Sequence, residues 1–291
     1  MPELPEVETI NRGMKKYLIG KVISKVEVDW FKSLAYDQSF INKHLLNAKI
    51  TSIDRRGKVL IMSLSNRFNL LFHLKMTGQL VYNSSTEKFG AGHPSDSLVN
   101  NLPDKSTRII FYFKDKSKLF FNDQRKFGWV KILDNQSLKD FEFFNKLGPE
   151  PLDKDFSLKI FKERLNARKN SKIKAVLLDQ STIAGLGNIY TDESLWMAKI
   201  HPMEPVYKLS DLKIKKLYES IIEILNLSIQ KGGSSDRNYI NIEGKKGSYI
   251  EFANVYKRAN QDCKRCNHKI IRIKVASRGT HICPNCQKLL K

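Results

Sequence analysis

Residues 261–287 read QDCKRCNHKIIRIKVASRGTHICPNCQ, and the cysteines of this stretch decide how it must fold. They form two pairs, Cys263-x2-Cys266 and Cys283-x2-Cys286, with sixteen residues between the pairs. Each pair offers two thiolates from one tight turn, and a hairpin of this length brings the pairs together around a tetrahedral zinc ion. The intervening IIRIKVASRGTHIC has strand character, with Gly279 as the expected turn. A disulfide framework is the competing reading. The rest of the chain holds no cysteine, and MPELPEVET carries acids and prolines where a secretory signal would carry cations and an apolar block. His268 and His281 are alternative ligands by type, but four cysteines already fill the shell. One structural zinc ion is therefore expected, supplying much of the module's folding energy. Cations surround the cysteines (Lys264, Arg265, Lys269, Arg272, Lys274, Arg278), which suits a hairpin that reaches DNA phosphate. A protein–protein zinc ribbon stays open on these residues alone.

Outward from this module, the 291 residues carry 51 Lys+Arg against 30 Asp+Glu, a formal net charge of +21. The excess runs through the whole length, so it decorates folded surfaces, and the commonest partner for such a field is nucleic acid. An anionic membrane is the rival, but there is no basic amphipathic arm, lipidation motif or apolar run of spanning length. Hydrophobic residues make up 41%, enough for a substantial core. The expected protein is soluble and intracellular, with no membrane partner.

Val7, Ile10, Met14 and Tyr17/Leu18 recur at helical spacing, with Gly20 as a natural stop. From about 21 to 133 the pattern changes to short β-rich runs such as VLIMSL, LLFHLKM, RIIFYF and KLFFND, which read as a sandwich or barrel. Residues 83–107 lack periodicity and read as a long polar loop. Leu147-Gly148-Pro149-Glu150-Pro151-Leu152 reads as an interdomain hinge. Helical patterns follow at about 157–168, 172–180, 189–198 and 210–231, the last capped by Ser210 and ended by Gly232-Gly233. Residues 232–249 read as a flexible loop.

Several segments together resemble the bacterial formamidopyrimidine-DNA glycosylase family. They are Pro2-Glu3-Leu4-Pro5-Glu6-Val7-Glu8-Thr9, Arg56-Gly57-Lys58, His73–Gly78, Asp123–Gly128, Leu147–Leu152, Gly185-Leu186-Gly187-Asn188-Ile189-Tyr190, Gly232–Ser235 and the cysteine module. The resemblance implies an α+β chain with four parts. An N-terminal catalytic β-sandwich opened by a helix spans 1–135, and a hinge spans 136–155. A helix–two-turn–helix DNA-binding domain spans 156–258 with a lesion-capping loop at 232–249, and the zinc finger hairpin spans 259–291. It implies a bifunctional glycosylase and AP lyase of base excision repair that removes oxidised purines from duplex DNA and cleaves by β,δ-elimination. A monomer in a bacterial cytoplasm, associated with the nucleoid through its DNA, is expected.

By the same resemblance Met1 is removed and Pro2 becomes the nucleophile. A secondary amine suits that task because it can form an iminium that acts as an electron sink, and an α-amino group titrates near ~7.7–8.0. Glu3 is assigned as acid/base and Glu6 as a supporting carboxylate, three apart on one helical face. Lys58 is assigned to the DNA backbone and to proton donation in β-elimination, and Arg278 to phosphate anchoring. Met76, Arg125 and Phe127 match the family's void-filling trio, needed because a base reached inside a duplex must be flipped out. Asn188, Lys174, His73, Tyr256 and Arg258 are further expected DNA contacts. Two departures stand out: Ser106-Thr107-Arg108 replaces the usual His-x-His, with Arg108 as a compensating cation, and Lys257-Arg258-Ala259-Asn260 replaces Gly-Arg-Lys-Gly. The rival readings are an endonuclease VIII-like glycosylase for oxidised pyrimidines and a non-enzymatic DNA-binding zinc protein.

Overall fold

The computed structural model describes residues 2–93, 101–234 and 249–289. Their backbone contacts form two compact units, one of Met1–Asn145 with Gly232–Ser248 and one of Lys146–Lys231 with Tyr249–Lys291. No helix among the described residues is long and apolar enough to cross a membrane.

The first unit opens with helix α1 (Leu4–Leu18), which starts three residues before the apolar periodicity because Pro5 is tolerated in a first helical turn. Then come β1 (Ile23–Val28), α2 (Gln38–Leu45), β2 (Ile50–Arg56), β3 (Val59–Leu64), β4 (Phe68–His73) and β5 (Gly78–Asn83). The unit continues with β6 (Lys88–Gly92), β7 (Thr107–Phe113), β8 (Lys118–Asp123), β9 (Trp129–Asp134), α3 (Asn135–Lys139) and α4 (Glu142–Asn145). The strands pair antiparallel in two sheets, β1-β7-β8-β5-β6 and β2-β3-β4-β9. Phe72 of the second sheet meets Phe111 and Phe121 of the first, with ring centroids 5.8 and 6.3 Å apart. These rings are nearly or wholly buried, and truncating such a Phe typically costs about 3–5 kcal/mol. Tyr17 of α1 stacks on Tyr82 and Phe89.

Strand β6 corrects the reading of 83–107 as loop throughout. Phe89 supplies the buried anchor that pure polarity hid, and Gly92 (φ +131°) lies so close to β5 that a Cβ there would collide with the Gly78 carbonyl oxygen.

In the second unit α5 (Leu158–Asn166), α6 (Ile173–Leu178), α7 (Asn188–Met197), α8 (Asp211–Gln230) and the short α9 (Tyr249–Phe252) precede the hairpin β10 (Ile271–Val275) and β11 (Arg278–Ile282). Ser157 and Ser210 cap α5 and α8 through their hydroxyls. Between α6 and α7 the chain makes two turns. Asp179 accepts the Ser181 N–H at 2.8 Å, and Gln180 accepts the Gly185 N–H at 3.0 Å while donating to the Leu186 carbonyl at 2.7 Å. The β10–β11 turn is Ala276-Ser277, both at positive φ (48° and 59°), as a two-residue type I′ hairpin requires. Gly279, expected at that turn, instead lies within β11 opposite Lys274, where a Cβ would meet the Arg272 guanidinium.

Helix α7 is buried from Tyr190 to Trp196 and includes two adjacent acids, Asp192 and Glu193. Asp192 accepts the Lys174 ammonium at 2.6 Å and the His281 N–H at 2.9 Å. Glu193 accepts the backbone N–H groups of Asn254, Val255 and Tyr256 at 2.8, 2.9 and 2.8 Å. A buried carboxylate is tolerated only with partners of this kind. Removing one member of a buried ion pair leaves the other charge uncompensated, at a cost of about 3–5 kcal/mol. Asp192→Asn should therefore lower urea-unfolding stability by that order, and the double variant Lys174→Met/Asp192→Leu should lose less. Equal losses in both would argue against the ion pair as the source.

Candidate active site and nucleic-acid interface

Pro2 and Glu3 are buried at the head of α1. Glu6 reaches back one turn, its Oε2 accepting the Glu3 N–H at 2.8 Å. Its other oxygen accepts both the backbone N–H and the hydroxyl of Ser234, at 2.7 and 2.9 Å. The same carboxylate thus caps the helix and holds the first residues of the 232–249 segment. Gly233 (φ +90°) packs against it, since a Cβ there would lie 3.1 Å from Oε1. The expectation for the remainder of that loop falls on residues 235–248, outside the described residues.

Lys58 is the second residue of the tight turn that pairs Arg56 with Val59, with Gly57 at φ +57° ahead of it. Glu8 braces this turn from α1: it accepts Arg55 Nε at 3.2 Å, and Arg55 in turn donates to the Gly57 carbonyl at 2.9 Å. Burial opposes ionisation of Glu8, but hydrogen bonds from Arg12, Asn11 and Arg55 outweigh it and hold its carboxyl below the usual range. Nothing in the spacing of the three acids Glu3, Glu6 and Glu8 singles out the third as a brace.

Val59 lies in register with His73, so the Lys58 turn and the end of β4 are neighbours. His73 is pushed down to about 3, first by burial and then by the charges of Lys75 and Lys58. Its Nδ1 accepts the Lys75 N–H at 3.0 Å, which leaves the proton of the neutral ring on Nε2. An unfolded histidine takes a proton near 6.5, whereas the folded ring refuses it until about 3. Wild-type stability should fall relative to His73→Gln as pH drops through that window, by up to about 1.4 kcal/mol per pH unit. Parallel urea curves for the two proteins across the window would refute a neutral, buried ring.

Met76 and the pair Arg125/Phe127 lie on two chain crossings that run side by side. Gly78 pairs with Asp123 in one sheet and His73 with Trp129 in the other, so both the His73–Gly78 and the Asp123–Gly128 segments pass from sheet to sheet at one end of the sandwich. Met76 and Phe127 are 38% and 56% exposed, out of keeping with core residues. The Arg125 guanidinium lies 4.9 Å from the Phe127 ring centroid. Wholly buried Asp123 ties the crossings together. Thr77 Oγ1 donates to its Oδ1, the Arg125 N–H reaches Thr77 Oγ1 at 3.0 Å, and the Gly128 N–H reaches Asp123 Oδ2 at 2.6 Å. Sequence reasoning missed Asp123 and Thr77 as organisers, although both stand inside the motifs it singled out.

Three expected contacts need correction. Lys174 is wholly buried, its ammonium held by Asp192 at 2.6 Å and Thr280 at 2.7 Å, so it joins α6 to α7 and β11 instead of meeting phosphate. Arg108 is 5% exposed and bonds to the carbonyls of Asp123, Thr107 and Lys105 and to Asp29, so it does not replace the missing histidine. Arg258 engages Gln261, Asn254 and Asp262 through all three guanidinium nitrogens and fastens its own loop. Tyr256 packs edge-on against His281. Asn188 begins α7 and donates to the Gly279 carbonyl at 3.1 Å, tying the helix start to the hairpin. Arg278 stands exposed at the first position of β11.

The four cysteine sulfurs all lie within 4.8 Å of one another, and no disulfide joins them. Cys263–Cys286 is 3.9 Å and Cys266–Cys283 is 3.4 Å. Zinc–sulfur bonds of ~2.3 Å in a tetrahedron place the sulfurs ~3.8 Å apart, so the set fits one zinc ion. As bare thiols the four are unequal: a hydrogen bond from Asn285 draws Cys266 down to about 5, whereas burial pushes Cys286 up to about 12. A divalent cation is what lets all four ionise together. Trp196 Nε1 donates to Cys263 Sγ at 3.4 Å, and Arg265 lies 3.9 Å from the indole centroid while bonding the Trp196 carbonyl at 3.0 Å. The zinc knuckle is thereby fastened to the end of α7. Trp196→Phe should release zinc to a chelator roughly tenfold faster or more; an unchanged release rate would show that the indole N–H adds nothing to the site.

Comparison with known proteins agrees with this arrangement. Models of the formamidopyrimidine-DNA glycosylase N-terminal domain and H2TH domain match residues 1–130 and 147–239, and a model of the zinc finger found in FPG and IleRS matches 261–289. Formamidopyrimidine-DNA glycosylase of Streptococcus pneumoniae is 39% identical over 288 residues, 99% of each chain. That of Ligilactobacillus salivarius is 39% identical over 287 residues, again 99% of each. Among solved structures, Lactococcus lactis Fpg bound to DNA containing an abasic site superposes with a TM-score of 0.86 at 36% identity, covering 98% of this chain and 99% of the other. A Lactococcus lactis Fpg variant bound to DNA containing Fapy-dG gives 0.86 at 37% identity, covering 99% and 100%.

Proposed function

The chain belongs to the formamidopyrimidine-DNA glycosylase family, and from that membership we propose how its own residues carry the reaction. It is a DNA glycosylase for oxidised purines with the AP lyase activity typical of the family, and it binds damaged DNA. The observation that supports the residue roles is the head of α1, where Glu3 directly follows the buried Pro2 and Glu6 accepts the Glu3 N–H at 2.8 Å.

With Met1 removed, the Pro2 nitrogen attacks C1′ of the flipped nucleotide. The glycosidic bond breaks, and the base leaves with the bonding pair and takes up a proton. Glu3 gives a proton to O4′ as the sugar ring opens, which yields an iminium between Pro2 and C1′. That cation withdraws electrons, so a C2′ proton is lost and the 3′ phosphate departs; the 5′ phosphate follows in the second elimination. Lys58, set in the turn braced by Glu8 and Arg55, supplies the nearby ammonium. His73 donates to phosphate through Nε2 as a neutral group. Met76, Arg125 and Phe127 fill the space left by the flipped base, and Arg125 addresses the unpaired partner base. Asn188 and Arg278 hold phosphate. Zinc, when bound, acts structurally, because four cysteines leave no open coordination position. The protein acts as a monomer in a bacterial cytoplasm.

The test is covalent trapping. Borohydride is added to protein and duplex DNA carrying 8-oxoguanine opposite cytosine, beside a duplex carrying thymine glycol. A trapped complex on the first duplex, absent from Pro2→Gly and from a form that retains Met1, is expected. Preferential trapping on thymine glycol would move the substrate to oxidised pyrimidines. No trapping on either duplex by a processed protein that still binds would overturn the iminium.

A further inference from the structure

Beside the Arg125/Phe127 crossing lies a second short turn that the reaction does not use. Phe31–Ser33 form one 3-10 turn directly after Trp30, and the Phe31 ring is 62% exposed, more so than Phe127 at 56%. A single exposed apolar side chain signifies little by itself. This one is held rigidly next to the wedge. The Lys126 ammonium sits 4.0 Å from the centroid of the Trp30 ring. The indole Nε1 is buried without an acceptor among the described residues, so the ring serves there as a platform and not as a donor. Arg108 braces both turns from beneath, donating to the Asp123 carbonyl at 2.9 Å on one side and to Asp29 at 3.2 Å on the other. The Arg108 carbonyl accepts the Asp29 N–H at 2.8 Å. Asp29 is the acid nearest the turn in sequence, and Arg108 offsets its charge. Ser33 and Leu34 are wholly buried, so the turn is anchored at its far end and exposes only Phe31 and Lys32.

The exposed face of these two turns therefore carries two rings, Phe31 and Phe127, together with three cations, Lys32, Arg125 and Lys126. Aromatic rings flanked by cations on a fixed surface suit a nucleic-acid strand, the rings packing on sugars or bases and the cations on phosphates. The surface is continuous with the crossing whose Arg125 addresses the base opposite the lesion. We propose that the Trp30–Lys32 turn is a second contact to the strand opposite the lesion, with Phe31 packed on a deoxyribose and Lys32 on a phosphate beyond the wedge. The inference rests on the DNA-binding reading above and extends the footprint along one strand.

Binding is measured, not turnover, with a duplex carrying a tetrahydrofuran abasic analogue opposite cytosine. Phe31→Ala and Lys32→Ala are each expected to weaken binding by roughly three- to tenfold. Lys32→Ala should also lower the slope of log affinity against log salt by about 0.9. Trimming the opposite strand from the side that this turn faces should abolish the difference between the variants and the wild type. Both side chains are exposed, so urea midpoints should match the wild type, and variants that fail this control are replaced by Phe31→Ser and Lys32→Gln. Wild-type affinity in the folded variants, or a deficit that survives trimming from either end, would overturn the proposal. Wild-type protein that fails to bind the abasic duplex would instead remove the reading on which it rests.

Discussion

Two neighbouring carboxylates at the middle of α7, Asp192 and Glu193, set the terms for the whole second unit. Successive residues on a helix point about 100° apart, so the pair faces two different partners at one level of the helix. Asp192 takes up the Lys174 ammonium and the first backbone donor past the Thr280 position of β11. Glu193 takes up three consecutive backbone donors of the 254–256 segment and the Asn254 amide. Burying either acid without those donors would leave its oxygens unsatisfied. Helix α7 consequently cannot pack unless the hairpin and the segment leading to it are in place. Farther along, Trp196 and Arg265 join the same helix to the zinc knuckle, and Gln287 links the Cys283 N–H to the Ile200 carbonyl. The zinc module is thus an extension of the helical unit, and Arg278 inherits its placement from buried charge at a distance.

The first unit solves a different positioning problem. Strands β4 and β9 are neighbours in one sheet, and β5 and β8 are neighbours in the other. The two connections between these pairs must then run side by side, in opposite directions, at one end of the sandwich. Met76 on one crossing comes to the same end of the sandwich as Arg125 and Phe127 on the other as a consequence of strand order. Asp123 and Thr77 turn that proximity into rigidity, because each uses its polar atoms on the other crossing or on its own turn. Side chains held in this way have little freedom left to lose on binding.

The net charge of +21 overstates the surface available to DNA. Arg55, Arg108, Lys174, Arg258 and Arg265 are engaged in bonds within the fold. Lys32, Arg125, Lys126 and Arg278 are among the cations that stay exposed. Buried guanidinium groups suit this internal role, since several donors on one plane can satisfy carbonyls from more than one segment.

The sequence alone determined what depends on local chemistry. Two Cys-x2-Cys pairs specify a zinc hairpin wherever they fold, and apolar spacing marks α1, α5 and α8 because each buries one face. The resemblance of its short motifs also pointed to the family, and the grouping of Glu3 with Glu6 follows from helical periodicity. Tertiary structure alone decided which cations face water. Lys174 and Arg258 read as DNA contacts from their motifs, yet Asp192, 18 residues from Lys174, and the Arg258 loop's own carbonyls claim them. The hairpin turn at Ala276-Ser277 shows the same limit at short range, because a glycine two residues on marks close packing against Arg272 instead of a bend. Strand β6 escaped notice for want of alternation, its one large buried side chain being Phe89. Partners brought together by packing leave no trace in spacing, and a charge's role depends on who those partners are.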